Sequence, residues 1–298
     1  MKVLEITNLT KHYGRITAVN GLNLAVEEGQ IYGILGPNGS GKTTTLGIAL
    51  GIIRADNGEC RWFEGQHGEG ANALRHIGSL LETPNFYPYM NAVQNLEIVA
   101  HIKHAKNVDY DHILKLVNLA HRKDAAFKTY SLGMKQRLAI AATMVGDPSV
   151  LILDEPTNGL DPTGIAEVRD TIRKIASEGK TIFMASHMLD EVEKVCTHVA
   201  IIKNGNLLTT GPVGGLLNKE MTIEIAAQNL EILRGVLSES HFISKIDGKA
   251  NHLIVSVKQG FSVHDVSEFI YQKGIILTHL TVHKHRLEDE FLKITSKN

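Results

Sequence analysis

Gly36-Pro37-Asn38-Gly39-Ser40-Gly41-Lys42-Thr43 decides the fold class, because glycine, four residues, glycine, lysine and a hydroxyl residue is the pattern of a phosphate-cradling loop. Glycines at 36, 39 and 41 let successive backbone N–H groups converge on one anion along a path that Cβ atoms would obstruct. Lys42 supplies a point charge for β- and γ-phosphates, and Thr43 offers a hydroxyl to a hard cation such as Mg²⁺. Ahead of the loop, Gln30-Ile31-Tyr32-Gly33-Ile34-Leu35 reads as a buried strand; behind it, Thr43 to Leu50 reads as a helix that turns its positive end toward a triphosphate. The fold expected from this setting is α/β, with a mostly parallel sheet around the loop.

A second stretch completes the chemistry. Val150-Leu151-Ile152-Leu153 is a short apolar run of the kind that forms a parallel strand covered on both faces, and it ends in Asp154-Glu155. In a magnesium-nucleotide site Asp154 would hold the metal shell, and Glu155, pointing differently, would orient or deprotonate the attacking water. Thr181-Ile182-Phe183-Met184-Ala185 is another such strand, followed by His187. Lys42, Glu155 and His187 are therefore expected at the carboxyl ends of parallel strands, where open α/β sheets bind ligands.

Working outward, Val3 to Val26 alternates like strands with turns at Tyr13-Gly14-Arg15 and Asn20-Gly21, an antiparallel sheet beside the core. Helices are expected over Thr163 to Ser177 and Met188 to Cys196, a helical subdomain over about 84–146, and a hairpin at Asn204-Gly205. The breaker cluster Gly211-Pro212-Val213-Gly214-Gly215 separates residues 1–215 from an accessory α+β domain over 216–298. There the pattern is strand 221–227, helix 228–239, strand 241–246, a turn at Asp247-Gly248, strand 252–258, helix 262–272, strand 275–282 and a closing helix, a ferredoxin-like order. That domain shows no catalytic constellation, so it serves regulation or dimer support, or structure alone.

Composition narrows the function classes. The 298 residues carry 31 basic and 32 acidic side chains, a formal charge of -1, so no global basic footprint marks a nucleic-acid binder. Cys60 and Cys196 stand far apart, which suits inert thiols in a reducing compartment rather than a disulfide framework. The pairs His101/His104 and His283/His285 lack cysteine or carboxylate company at ligand spacing and read as solvated histidines. No signal peptide and no run of about 18 apolar residues is present, so the chain itself is not expected to span a membrane.

Residues 1 to about 215 resemble the nucleotide-binding subunit of an ATP-binding-cassette (ABC) transporter. Beyond the two motifs above, Ser131-Leu132-Gly133-Met134-Lys135-Gln136-Arg137 resembles that family's signature, and Asn158-Gly159-Leu160-Asp161 its D-loop. The resemblance implies an ATPase with ATP and Mg²⁺ that forms a head-to-tail ATP-sandwich homodimer, with Ser131 and Gly133 of one copy facing the γ-phosphate held by Lys42 of the other. It implies that Tyr13 stacks on adenine, that Gly36, Pro37, Asn38, Gly39, Ser40, Gly41, Thr43 and Thr44 bind nucleotide with Asp161 nearby, and that His187 senses the γ-phosphate. Separate transmembrane permease subunits would be the partners, and the cytoplasmic face of the membrane the location. A soluble relative working on nucleic acid or ribosomes is the alternative; tandem cassettes, coiled coils and zinc modules, which such relatives carry, are not visible here.

Two departures qualify the likeness. The signature has Leu132 and Met134 where the family usually has glycine and glutamine, and Glu82 stands in the position of the Q-loop glutamine. Glutamate still offers oxygen to Mg²⁺ but adds negative charge near a triphosphate. Glu82, Pro84-Asn85-Phe86-Tyr87-Pro88-Tyr89 and Tyr130-Ser131-Leu132-Gly133-Met134 together resemble the branch that exports bacitracin-like and lantibiotic peptides. The Phe86-Tyr89 cluster either receives a partner helix or covers the joint between subdomains.

Overall fold

A computed structural model describes residues 1–67, 70–81, 85–217, 221–249, 251–283, 287–288 and 291. The chain divides into two compact units, Met1–Val213 and Gly214–Asn298. In chain order the first unit runs β1 (Lys2–Tyr13), β2 (Ile16–Glu27), β3 (Ile31–Leu35), α1 (Lys42–Ala49), β4 (Asn57–Trp62), α2 (Ala71–Leu74) and β5 (Ile77–Leu80). It continues through α3 (Ala92–Ile102), α4 (Tyr110–Leu116), α5 (Leu132–Met144), β6 (Val150–Asp154), α6 (Pro162–Ser177), β7 (Thr181–Ser186), α7 (Leu189–Val195), β8 (His198–Lys203) and β9 (Asn206–Pro212).

Six strands form the central sheet in the order β5-β6-β7-β3-β8-β9. All neighbours are parallel except β8 and β9, which close antiparallel through Asn204 and Gly205, both at positive φ as a tight hairpin requires. Every residue of β3 and β7 is buried, as is Val150–Leu153 of β6, because one face packs on α1 and the antiparallel sheet while Gly33 on the other meets Val192 of α7; this is why those segments are continuous apolar runs. Register decides the site: Leu35 pairs with Ser186, and Asp154 with Ala185. Three strands therefore end level, and the residues that follow them share one edge.

Beside this sheet, β2, β1 and β4 form a three-stranded antiparallel sheet. Here one expectation fails. Asn20-Gly21 is not a turn; β2 runs through it, and Gly21 at φ 58 makes a local irregularity within the strand. The Asn20 N–H donates to the Gly205 carbonyl at 2.9 Å, so tertiary pairing uses the dipeptide to tie two sheets together. Helices α3, α4 and α5 with short 3₁₀ turns occupy the region expected to be helical. No helix among the described residues is long and apolar enough to cross a membrane.

The second unit runs α8 (Val213–Leu217), which starts at the boundary, then β10 (Met221–Ala227), α9 (Leu230–Ser238), β11 (Ile243–Gly248), β12 (Leu253–Val257), α10 (Val263–Gln272) and β13 (Leu277–His283). Its sheet is antiparallel, ordered β11-β12-β10-β13. Ile223, Ile225, Val255 and Val257 bury one face together with Leu233, Leu237, Val266 and Ile270 of the two helices. Asn229 caps α9, and Ser262 with Asp265 forms a capping box on α10. Asp247-Gly248, expected as a turn, instead extends β11, with Gly248 paired to Leu253. Most of the expected closing helix lies outside the described residues.

Candidate nucleotide site

Gly36 to Thr43 joins β3 to α1 and wraps around its own lysine. Lys42 is buried, and its ammonium donates to the carbonyls of Gly36 at 2.8 Å and Pro37 at 3.2 Å. Two of the glycines are sterically compelled. A Cβ on Gly36 would lie 2.4 Å from the Ile202 carbonyl, and one on Gly41, which has φ 105, would lie 2.2 Å from the Ala18 carbonyl. The loop is thus pressed against β2 and β8, and only backbone fits between. Gly39, at φ 78, meets no such neighbour and is required for conformation rather than space.

Glu155 follows β6 at φ 47, an uncommon conformation for a non-glycine residue, with its N–H donating to the Ala185 carbonyl at 3.0 Å. That kink turns its carboxylate across the strand ends. One oxygen lies 3.5 Å from the Lys42 ammonium, and the other accepts from His187 Nδ1 at 2.8 Å. The three residues placed at strand ends by sequence are therefore in direct contact.

Thr43 donates its hydroxyl to Asp154 Oδ2 at 2.7 Å. The other Asp154 oxygen is buried without a hydrogen-bond partner, and burial pushes this carboxyl above its ordinary range. A threonine hydroxyl beside an unpartnered buried carboxylate oxygen is a hard-oxygen donor set that fits Mg²⁺. The Ser40 hydroxyl is likewise buried and unpartnered within the loop. Glu82, the other expected metal contact, lies outside the described residues.

An open pocket of about 320 Å³ lies against the loop. Asn38, Gly39, Gly41, Lys42, Thr43 and Thr44 form its floor, Glu155 one wall, and Tyr13 with Ala18 another. Tyr13 is half exposed at the pocket edge, with the Lys11 ammonium 5.6 Å from its ring centre. Ala18 and Ile202 carried no sequence signal, because their backbone carbonyls act across sheets.

Ser131, Gly133 and Asp161 are not in this pocket. Ser131 is exposed and caps α5, its hydroxyl accepting from the Met134 N–H at 3.2 Å; Leu132 beside it is half exposed. Asp161 caps α6 by accepting from Gly164 N–H at 2.9 Å. A Cβ on Gly133 would sit 3.4 Å from the Gly164 Cα, so the signature and D-loop helices meet at their first turns. The chain thus presents two chemically distinct surfaces: a pocket with lysine and carboxylates, and a pair of capped helix starts.

The comparisons with known proteins agree with this geometry. The profile of the family described as ABC transporter matches residues 19–158. The bacitracin transport ATP-binding protein BcrA of Bacillus licheniformis is 39% identical over 300 residues, covering 98% of this chain and 97% of that protein. The lantibiotic transport ATP-binding protein SrtF of Streptococcus pyogenes is 38% identical over 218 residues, 73% of this chain and 94% of that one. Among solved structures, cbiO1 from Clostridium perfringens, part of the ABC transporter complex cbiONQ, superposes with a TM-score of 0.65 at 27% identity, covering 80% of this chain and 95% of that one. With the phosphate loop, the paired carboxylates and near full-length kinship all in register, the chain belongs to the ABC transporter family, as an ATP-hydrolysing nucleotide-binding subunit.

Proposed function

We propose that two copies of this chain close head-to-tail on two ATP molecules and drive separate transmembrane permease subunits from the cytoplasmic face of the membrane, exporting a peptide antibiotic. The relatives' names carry the substrate class: bacitracin transport and lantibiotic transport. Residues 1–215 act as the motor, and 216–298 as an accessory domain whose strand order β11-β12-β10-β13 supports the ferredoxin-like reading.

The observation that carries the mechanism is the Glu155 carboxylate held between Lys42 and His187. Bound Mg²⁺ would neutralise phosphate charge, with Thr43, Asp154 and Glu82 as its protein donors. Lys42 and the loop N–H groups from Gly36 to Thr44 hold the phosphates, and Tyr13 stacks on adenine. Glu155 takes a proton from water as the water oxygen bonds to the γ-phosphorus and the bond to ADP breaks. His187 holds Glu155 in place and contacts the γ-phosphate.

The second copy supplies what the pocket lacks. Ser131 and Gly133 at the start of α5, with Asp161 beside them, would direct N–H groups and a positive helix end at the γ-phosphate of the other copy. ATP then favours the closed pair, and hydrolysis removes the bridge. Phe86, Tyr87 and Tyr89 offer the permease an apolar surface.

Glu155→Gln tests the reading. Steady-state phosphate release should fall by about 10³-fold, the scale of losing a catalytic group. With ATP and Mg²⁺ the variant should elute as a dimer in size-exclusion chromatography. Unchanged phosphate release would remove Glu155 as base, and a monomer at saturating ATP would remove the sandwich.

A further inference from the structure

Helix α6 carries Arg169 and Arg173, four residues apart and therefore on one face. Both reach α7. Arg173 Nη2 donates to the Lys194 carbonyl near the end of α7 at 2.5 Å. Arg169 Nη1 lies 3.6 Å from Glu191 Oε1 in the first turn of α7. Glu191 is 5% exposed, its second oxygen is buried without a hydrogen-bond partner, and so is Arg169 Nε. A carboxylate this far from water needs its cation, and the pair adds a restraint from α6 to those at the strand end, where the Met188 N–H donates to Ser186 Oγ at 3.0 Å and the His187 N–H to Glu155 at 3.4 Å.

What that restraint holds is the stretch just before α7. The helix is seven residues long, begins at Leu189, and has Met188 as an N-cap residue without a side-chain cap bond. A short helix without a side-chain cap holds its first turn weakly, here through the Met188 carbonyl accepting from the Val192 N–H at 3.2 Å. His187 precedes it by two residues and is half exposed, yet its ring must stay 2.8 Å from Glu155. Helix α6 is itself anchored on the opposite side: Glu167 pairs with Arg137 of α5 at 3.1 Å, and Arg137 donates to the carbonyls of Val117 at 3.1 Å and Asn118 at 2.9 Å. Position is thus passed from α5 through α6 to α7 by side chains that do not line the nucleotide pocket.

We propose that Arg169 and Glu191 are positioning residues for hydrolysis, clamping the start of α7 so that His187 meets the Glu155 carboxylate. The proposal rests on the reading of Glu155 and His187 as the hydrolytic pair. It adds that the geometry of that pair is set from α6, and not by β7 alone.

The test measures steady-state phosphate release against ATP concentration for the full-length protein and its Glu191→Gln, Arg169→Gln, Arg169→Lys, His187→Ala and His187→Ala/Glu191→Gln variants. Glu191→Gln and Arg169→Gln should lower kcat about tenfold with KM for ATP unchanged, since a misplaced group costs rate rather than binding. Arg169→Lys, which keeps the charge, should recover most of the loss. In the His187→Ala background, Glu191→Gln should add nothing. Wild-type kcat in both the Gln variants, or the same proportional loss with and without His187, overturns the proposal. Should Glu191→Gln fail to fold in a thermal melt, the more accessible Arg169→Gln carries the same comparison. If His187→Ala itself turns over like wild type, the underlying reading of the pair falls; if His187→Ala is crippled while Glu191→Gln and Arg169→Gln are normal, only the clamp does.

Discussion

The two larger sheets of this chain handle polar residues in opposite ways. In the six-stranded sheet the inner strands β3, β6 and β7 are buried and mostly apolar, so the proposed site residues stand at or past the strand ends: Gly36 to Lys42 after β3, Asp154 as the last residue of β6 with Glu155 after it, His187 after β7. In the four-stranded sheet helices cover one face, and polar residues stand on the other. There Glu224 of β10 faces His283 at 3.0 Å, His252 at 3.4 Å and His279 at 3.6 Å. The hydrogen bond from His283, with the charge of the other two imidazoles, holds the Glu224 carboxyl below its usual range. His283, read from sequence as lacking a carboxylate neighbour, acquires one across the sheet. Among the described residues no such group is arranged to hold a metal ion. The difference teaches that a sheet buried on both faces concentrates chemistry at one edge, whereas a half-covered sheet spreads it over a surface.

If the edge does the work, its backbone path should be the most sensitive feature of the molecule. Gly41→Ala alters no functional side chain, yet its Cβ would meet the Ala18 carbonyl and its φ is unsuited to alanine. The conformational term alone costs about 1–2 kcal/mol, and the collision forces the loop to move. ATP binding by calorimetry should weaken by at least about 100-fold, consistent with several kcal/mol. Unchanged affinity would mean that the loop's path is not what grips the phosphates.

The second sheet should respond through stability instead. Leu237 is fully buried between α9 and the sheet, and Leu237→Ala should cost that unit about 2–5 kcal/mol. Its thermal transition should drop while ATP turnover at a temperature below that transition stays at the wild-type level. A parallel loss of turnover would show that the half-covered sheet also supports the edge.

The smallest effect belongs to an exposed polar cluster in the third sheet's surroundings. Asp56 accepts from Lys11 at 2.9 Å and from the His12 N–H at 2.6 Å, and these contacts hold its carboxyl at about 2, below the ordinary 3.8. A depressed folded-state value gives stability that is present above the unfolded value and lost as pH falls from 3.8 toward 2. Asp56→Asn should flatten that part of the acid-stability curve and leave melting at pH 7 only slightly lowered. An unaltered acid curve would show these contacts to be decorative.

Much of the edge was legible in sequence because each part is local. A phosphate loop needs its glycines within eight residues, and Val150 to Glu155 states both burial and charge in one run. The helix of Thr163 to Ser177 was legible to within a residue, but its Asp161 cap, a bond spanning three residues, was not read from the sequence. The turns at Asn20-Gly21 and Asp247-Gly248 were misread because turn chemistry is a local preference, and strand pairing outweighed it in both places.

By itself, then, the sequence determined the family of chemistry this chain belongs to and the eight-residue path proposed to cradle phosphates, since conformational freedom, charge and apolar runs are written in neighbouring letters. Tertiary structure alone decided that three distant strands end level, that Glu155 reaches both Lys42 and His187, that Gly41 lies against Ala18, and that Arg169 meets Glu191. Those contacts join residues up to more than a hundred positions apart. Strand register and helix packing, not local preference, set which of them meet.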